Sequence, residues 1–225
     1  MDILQQHEIF EIEVLDKLRR RRLLEPLVFG GGTMLRLCHE LGRYSVDLDF
    51  WFIKPVSEDR FFSEVRKALE ENYEITDSQV KHYTLIFELR TPSYPRRLKI
   101  EIRRGERTFD VQEKIAFSRF STRQVAVRAH TLEQSMKNKV EAFLDRGEIR
   151  DCFDIEFILR RGVNLPSLDA ASLRRFRSRL NRFRDKDFKV TLGSILEPDM
   201  RNYYISQRFS YLKEKLNSEN QDSLI

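Results

Sequence analysis

A chain of 225 residues is long enough to bury one large hydrophobic core or two small ones. Its hydrophobic share of 40% is ordinary for a globular protein, and its net charge of +5 favours anionic partners only weakly. No stretch approaches the roughly 18 uninterrupted apolar residues of a membrane-spanning helix, so we expect no membrane association. The N-terminal segment also lacks the basic-then-apolar order of a signal peptide.

The first elements place a glycine cluster between a strand and a helix. Residues 1–26 predict an amphipathic helix that ends in a basic run, and Leu27-Val28-Phe29 predicts a short strand. This strand meets Gly30-Gly31-Gly32, the only glycine cluster in the chain. Apolar residues then recur at helical spacing as far as Leu41, and Thr33 is well placed as the N-cap of that helix. The glycines are therefore predicted to form a strand-to-helix turn.

The next strand carries two acids on one face. In the segment 46–52 polar and apolar residues alternate, so Asp47 and Asp49 are predicted to point away from the apolar face. Farther along, the pattern predicts one helix and two strands, over 58–71, 83–89 and 98–103.

The second half reads differently. Residues 107–130 fit no single pattern, and we interpret them as a helix and a short strand. From Thr131 onward the chain is predicted to be helical, with breaks at 162–166 and near Pro198. The last residues, 217–225, are predicted to form a frayed tail.

The acidic pair suggests a metal site. Strand geometry places the side chains of Asp47 and Asp49 about 7 Å apart. Buried together without a cation, the two carboxylates would repel and one would take up a proton. With one or two Mg²⁺ ions they would instead be ligands, as in two-metal phosphoryl transfer. The alternative is the exposed polar face of an edge strand.

The glycine turn and a third acid strengthen this interpretation. A glycine-rich turn before a helix offers backbone N–H groups to an anion, and Thr33 adds a hydroxyl, although a simple tight turn is the alternative. The turn lacks the lysine of a Walker loop and the G-x-G-x-x-G spacing of a dinucleotide fold. Glu101 lies on the polar face of the strand 98–103 and is a candidate third ligand. Its alternative is a solvated strand face with Lys99 and Arg103 as exposed neighbours.

These residues resemble the polymerase-β-like nucleotidyltransferase superfamily and, more closely, the AbiEii/AbiGii toxin family. The first two motifs of that family are similar to Gly31-Gly32-Thr33 and to Arg43-x-Ser45-x-Asp47-Leu48-Asp49-Phe50. The third is similar to Thr131-Leu132 followed by Lys139 and Ala142, and the fourth to Arg150-Asp151-x-x-Asp154. Four motifs in order make the resemblance specific.

The helical motifs also carry charges on an apolar face. Lys139 falls inside an apolar stripe, and an ammonium on an inward face needs an anionic partner. Asp151 and Asp154 are three residues apart and share a helix face. As alternatives to a role in a site, Asp151 could cap its helix, and Lys139 could snorkel to solvent or pair with Asp154.

The resemblance implies an α+β fold, with a polymerase-β-like nucleotidyltransferase core and mixed sheet over 1–110 and a mainly helical region over 111–225 that closes over the active site. It implies a cytoplasmic, bacterial or archaeal, toxin-like enzyme with a cognate antitoxin. An acceptor hydroxyl, on tRNA or protein, would attack the α-phosphate of a nucleoside triphosphate. The alternatives are a small-molecule nucleotidyltransferase of the aminoglycoside type and a non-catalytic nucleotide- or RNA-binding module.

The resemblance also implies residue roles. Asp47, Asp49 and Glu101 would bind one or two Mg²⁺ ions, and Glu101 would help to deprotonate the acceptor. Lys139 is the fourth expected catalytic residue. The expected nucleotide-binding residues are Gly31, Gly32, Thr33, Arg43, Ser45, Lys139, Asp151 and Asp154.

Two further features follow from the residues themselves. The basic helix over 173–189 could contact tRNA phosphates, although such a run is usually a solvated face. Cys38 and Cys152 lack metal-ligand spacing, and we expect two buried free thiols.

Overall fold

The computed structural model describes residues 1–222, and side chains as far as 217, in two compact units that divide between Thr131 and Leu132. The first unit contains three helices, α1 (Ile3–Arg20), α2 (Gly31–His39) and α3 (Glu58–Glu70). Its strands are β1 (Leu27–Gly30), β2 (Asp47–Phe52), β3 (Glu74–Val80), β4 (Thr84–Arg90), β5 (Leu98–Arg103), β6 (Val111–Phe117) and β7 (Gln124–His130). The second unit contains α4 (Leu132–Arg146), α5 (Ile149–Arg160), α6 (Ala170–Asn181), a π-helix (Asp187–Leu192), α7 (Pro198–Gln207) and α8 (Ser210–Asp222).

The seven strands form one mixed sheet in the order β3-β4-β5-β2-β1-β7-β6. Strand β2 lies near its centre, antiparallel to β1 and parallel to β5, and β1 is parallel to β7. The acid-bearing strand is therefore flanked by the strand that leads into the glycine turn and by the strand that carries Glu101. The α+β fold class with a mixed sheet is confirmed.

Aromatic packing on one face of the sheet fixes the orientation of β2. Phe50 stacks on Phe29 of β1 at a ring separation of 5.2 Å, and Phe52 packs edge-on against Phe61 of α3 at 5.2 Å. Full burial of each such side chain contributes roughly 1.5–3 kcal/mol. Because residues alternate along a strand, Asp47 and Asp49 are left on the opposite, half-buried face, as predicted.

The interpretation of residues 107–130 as a helix and a short strand was wrong. This segment forms the antiparallel pair β6 and β7 at one end of the sheet. The sheet consequently continues beyond residue 110, and the division between the two units falls after Thr131 instead. Strand β3, for which the sequence pattern predicted no element, occupies the other end of the sheet.

The second unit is helical throughout its regular structure. Glu156 of α5 is fully buried and accepts hydrogen bonds from the Tyr204 hydroxyl and the Leu212 backbone N–H, both at 3.1 Å, which ties α7 and α8 to α5. Burial raises the pKa of the Glu156 carboxyl, against the effect of these donors. Helix α8 continues to Asp222, so a frayed tail from Asn217 was a wrong prediction, and residues 223–225 lie outside the described residues.

Two smaller expectations are answered by the fold. Cys38 and Cys152 are buried free thiols, as predicted. Within residues 1–222, none of the helices has the length and apolar character needed to cross a membrane.

Candidate active site

The glycine turn lies directly against the acid strand. Gly30 pairs with Asp49 across β1 and β2, and Gly31 begins α2 with a φ of +73°. A Cβ atom at Gly31 would overlap the Asp49 carboxylate and lie 3.0 Å from its Cβ atom. Glycine is required here both by the left-handed backbone and by the contact with Asp49.

Gly31→Ala is expected to destabilise the protein by about 2 kcal/mol more than the matched change Gly105→Ala. Gly105 also has a positive φ, of +81°, but an added Cβ would meet nothing within 4 Å. Gly105→Ala therefore reports the backbone strain alone, about 1 kcal/mol. Urea unfolding of the two variants measures the difference, and equal losses would contradict the close contact between the turn and Asp49.

The prediction that Thr33 caps α2 was wrong, because the N-cap of this helix is Gly30. Thr33 lies inside the first turn, fully buried, and its hydroxyl donates a 2.6 Å hydrogen bond to the carbonyl oxygen of Asp47. The helix that follows the glycine turn is thereby tied to the first acid of β2.

Arg43 and Ser45 pack against the second glycine of the turn. A Cβ atom at Gly32 would lie 2.5 Å from an Arg43 guanidinium nitrogen and 2.7 Å from the Ser45 hydroxyl. Arg43 is buried and donates a 3.0 Å hydrogen bond to the carbonyl oxygen of Tyr44. The structure thus brings the predicted nucleotide-binding residues of the first two motifs into one place around the turn.

Glu101, the candidate third acid, lies on strand β5, on the half-buried face that the sequence pattern predicted to be polar. Parallel pairing of β2 and β5 sets Glu101 beside Asp49 and Lys99 beside Asp47. The Lys99 ammonium donates a hydrogen bond to the Glu101 carboxylate. This bond raises the pKa of Lys99 against the effect of its burial, and the charges of Glu101, Asp47 and Asp49 add to the increase. One ammonium therefore lies in the combined field of all three carboxylates.

The donor set fits Mg²⁺ bound together with a triphosphate. Among the described residues, no three His, Cys, Asp or Glu side chains form a ready-made metal group. Mg²⁺, however, is usually held by one or two carboxylates with substrate phosphates and water, rather than by a cage of protein ligands. Asp47 and Asp49 supply such a pair beside a turn suited to phosphate, and the Lys99 ammonium lies next to them, bound to Glu101.

Beyond the acids, β2 contributes to an aromatic cluster that the sequence pattern had not revealed. Trp51 lies 4.8 Å from the ring of His130, which lies 4.7 Å from the ring of Phe109. A Cβ atom at Gly30 would be 2.6 Å from both Trp51 and His130, so this position also needs glycine. The available signal was the place of Trp51 on the same strand face as the two aspartates.

His130 predicts a loss of stability in acid. Burial lowers its pKa from 6.5 to about 4. Between these values the unfolded chain binds the proton that the folded chain excludes, so stability falls as the pH falls from 6.5 to 4, by up to about 3 kcal/mol. Chemical denaturation at pH 7 and at pH 4.5 is expected to show a smaller loss for His130→Gln than for the unaltered protein. Equal losses would contradict the neutral, buried imidazole.

In the second unit, the charges of the third and fourth motifs form one buried cluster. The Lys139 ammonium lies 2.7 Å from a carboxylate oxygen of Asp154 and 3.5 Å from one of Asp151, and both aspartates are fully buried. Arg146 binds both oxygens of Asp151 at 2.7 Å. Asp151 does not cap α5, whose N-cap is Glu148. The pairing of Lys139 with Asp154, one of the alternatives from the sequence, is observed.

Arg146 was missed by the sequence motifs. Arg146 lies in the last turn of α4 and contacts both carboxylate oxygens of Asp151. It is the main partner of that carboxylate, because the Lys139 ammonium lies farther away, at 3.5 Å. The only local signal for its role was its place in the last turn of α4, four residues before the Arg150-Asp151 motif.

The basic segment 173–189 covers α6 and the start of the π-helix. Phe176 and Leu180 are buried, as the apolar stripe predicted. Arg177 and Arg179 donate hydrogen bonds to the backbone carbonyl oxygens of Leu216 and Asp145. The exposed cations of the segment are Arg174, Arg175, Arg182, Arg184, Lys186 and Lys189.

Two solved structures from Helicobacter pylori share this fold. JHP933 is 21% identical, with a TM-score of 0.51, over 94% of this chain and 96% of that chain. A second protein, solved as a predicted nucleotidyltransferase, is 20% identical, with a TM-score of 0.54, over 91% of this chain and 95% of that chain. No curated protein sequence matches.

The model of the family described as "Nucleotidyl transferase AbiEii toxin, Type IV TA system" matches residues 13–218. The match spans the glycine turn, the acid strand and both helical motifs, in agreement with the resemblance drawn from the sequence. The chain therefore belongs to the AbiEii family of nucleotidyltransferase toxins of type IV toxin–antitoxin systems.

Proposed function

We propose that the chain transfers a nucleoside monophosphate from a nucleoside triphosphate to an acceptor hydroxyl, with Mg²⁺ held by Asp47 and Asp49. One observation carries the proposal. The two carboxylates lie on one face of β2, against the glycine turn and beside Glu101 of the adjacent strand.

In the proposed reaction the acceptor oxygen forms a bond to the α-phosphorus while the bond from that phosphorus to the bridging oxygen of pyrophosphate breaks. The acceptor proton passes to a base, for which Glu101 is proposed below, and pyrophosphate leaves with the displaced electron pair. Bound Mg²⁺ supplies Lewis-acid stabilisation of the charge that develops on the phosphate oxygens. Asp47 and Asp49 would hold the cation, and Glu101 is proposed as the third ligand and as the group that assists removal of the acceptor proton.

The turn is proposed to bind the triphosphate through the backbone N–H groups at Gly31 and Gly32, at the N-terminus of α2. Thr33 supports the site through its hydrogen bond to the carbonyl oxygen of Asp47. Arg43 and Ser45 hold the turn from the side of Gly32 and place positive and polar atoms beside the phosphates.

Lys139 is proposed to bind the triphosphate as well. An ammonium held by two buried carboxylates is ordered, which suits it to a phosphate oxygen. Asp151 and Asp154 are then the groups that orient Lys139 and neutralise it when no nucleotide is bound.

For the acceptor we propose tRNA, with a protein side chain as the second candidate. The exposed cations of the segment 173–189 favour RNA, because such contacts bind phosphates without regard to sequence. A prokaryotic, cytoplasmic setting and a separately encoded antitoxin belong to the same proposal.

The test is incubation with each of the four ribonucleoside triphosphates, labelled at the α- or γ-phosphate, with Mg²⁺ and total tRNA. We expect label from the α position in RNA, no label from the γ position, and no transfer in EDTA. Label in a protein band would move the acceptor to protein. The absence of both transfer and Mg²⁺-dependent triphosphate binding would contradict the proposed reaction.

A further inference from the structure

Buried side chains hold the connection that leads into the acid strand. Residues 40–46, between α2 and β2, lie outside the helices and strands of the sheet. Four carbonyl oxygens from this segment and the start of β2 accept hydrogen bonds from buried side chains: Leu41 from Arg36 at 2.8 Å, Tyr44 from Arg43 at 3.0 Å, Val46 from His7 at 2.9 Å and Asp47 from Thr33 at 2.6 Å. The path of the backbone into Asp47 is thereby fixed from several sides.

His7 is the one member of this set that comes from α1. Its ring is 1% exposed, and its Nε2 atom lies 2.9 Å from the Val46 carbonyl oxygen. A carbonyl oxygen only accepts, so Nε2 carries the hydrogen and donates it. The Nδ1 atom has no hydrogen-bond partner in the described chain, and Glu11 lies 3.6 Å from Nε2.

A buried polar ring with one directed hydrogen bond is a costly way to fill space. An aliphatic side chain in the same place would pack without an unsatisfied nitrogen. What the imidazole adds is a hydrogen-bond donor in a fixed position, directed at the carbonyl oxygen of Val46, the residue that precedes Asp47. The neighbouring hydrogen bond from Thr33 to the Asp47 carbonyl acts on the next peptide in the same way.

We propose that His7 is a positioning residue, which holds the Val46–Asp47 backbone so that the Asp47 carboxylate is preorganised for a divalent cation. The inference rests on the proposed metal-binding role of Asp47. His7 lies N-terminal to all four motifs, so no motif assigns it this role. Groups behind a metal ligand typically change metal affinity by about 10- to 100-fold.

Two amide substitutions separate positioning from packing. The amide nitrogen of glutamine can reach the place of the His7 Nε2 atom, whereas that of asparagine falls short. Binding of Mn²⁺ to the protein in the presence of a nucleoside triphosphate analogue that cannot be transferred, followed by electron paramagnetic resonance, is the direct measurement. We expect His7→Asn to weaken the Asp47-dependent Mn²⁺ site at least about tenfold, and His7→Gln to remain within about twofold of the unaltered protein.

Ser118→Ala is the matched control. It removes the 2.6 Å hydrogen bond from Ser118 to Glu8 of α1 without touching the Val46–Asp47 backbone. We expect a lower melting temperature and unchanged Mn²⁺ binding. Equal Mn²⁺ affinities for His7→Asn and His7→Gln, or a tenfold loss of Mn²⁺ affinity in Ser118→Ala, would overturn the inference about His7 and leave the proposed function unaffected. The absence of an Asp47-dependent Mn²⁺ site in the unaltered protein would overturn the proposed function together with it.

Discussion

Asp47→Asn is expected to lower nucleotide transfer by at least about a thousandfold without lowering the melting temperature. The amide keeps the shape of the side chain and removes the charge that would hold the cation. Asp47 lies close enough to the buried Glu11 for its charge to raise the pKa of that carboxyl, after the larger effects of burial and Glu8. Removal of the Asp47 charge relieves this repulsion and weakens the attraction to Lys99, so the variant should be about as stable as the unaltered protein.

The measurement pairs a transfer assay with thermal unfolding, and Asp77→Asn serves as the control. Asp77 is also a half-buried strand aspartate, but on β3, where it accepts hydrogen bonds from Gln79 at 3.0 Å. That control should retain transfer. Full transfer by Asp47→Asn would contradict the assignment of Asp47 to the metal site. A large drop in melting temperature would instead indicate a structural role for Asp47.

The acid strand was predictable because its information is local. Alternation along 47–52 places Asp47 and Asp49 on one face, and the same alternation places Glu101 on the polar face of β5. What alternation cannot supply is the register between distant strands. The place of Glu101 beside Asp49, and of Lys99 beside Asp47, required the parallel pairing of β2 with β5.

The errors arose where burial does not follow polarity. In β6 the large apolar side chains Val111, Ile115 and Phe117 are exposed, whereas Lys114 on the other face is half-buried, so the usual strand pattern is inverted. The role of Thr33 was misjudged because its hydroxyl is used by Asp47, a partner fourteen residues away, rather than by its own helix. His7 shows the same limitation, because its partner Val46 is far along the chain.

The second large effect is expected at Lys139. A purely structural role and a phosphate-binding role of this lysine predict different transfer activities for the double variant Lys139→Met, Asp154→Asn. Lys139→Met leaves the fully buried Asp154 without the ammonium that lies 2.7 Å from it. Removal of one partner from a buried ion pair costs about 3–5 kcal/mol, so the single variant should be strongly destabilised and inactive. Asp151 retains its bidentate contact with Arg146.

Adding Asp154→Asn removes the buried charge that has lost its ammonium and should recover most of the lost free energy of unfolding, as measured by urea denaturation. If Lys139 binds the triphosphate, the double variant folds but still fails to transfer, and its affinity for the triphosphate falls with it. Lys137→Met, at an exposed position of the same helix, should leave both stability and transfer unchanged. Transfer that returns together with stability would assign Lys139 to the fold alone. Because the comparison is made between two folded proteins, it separates the loss of a phosphate ligand from the cost of a broken buried pair.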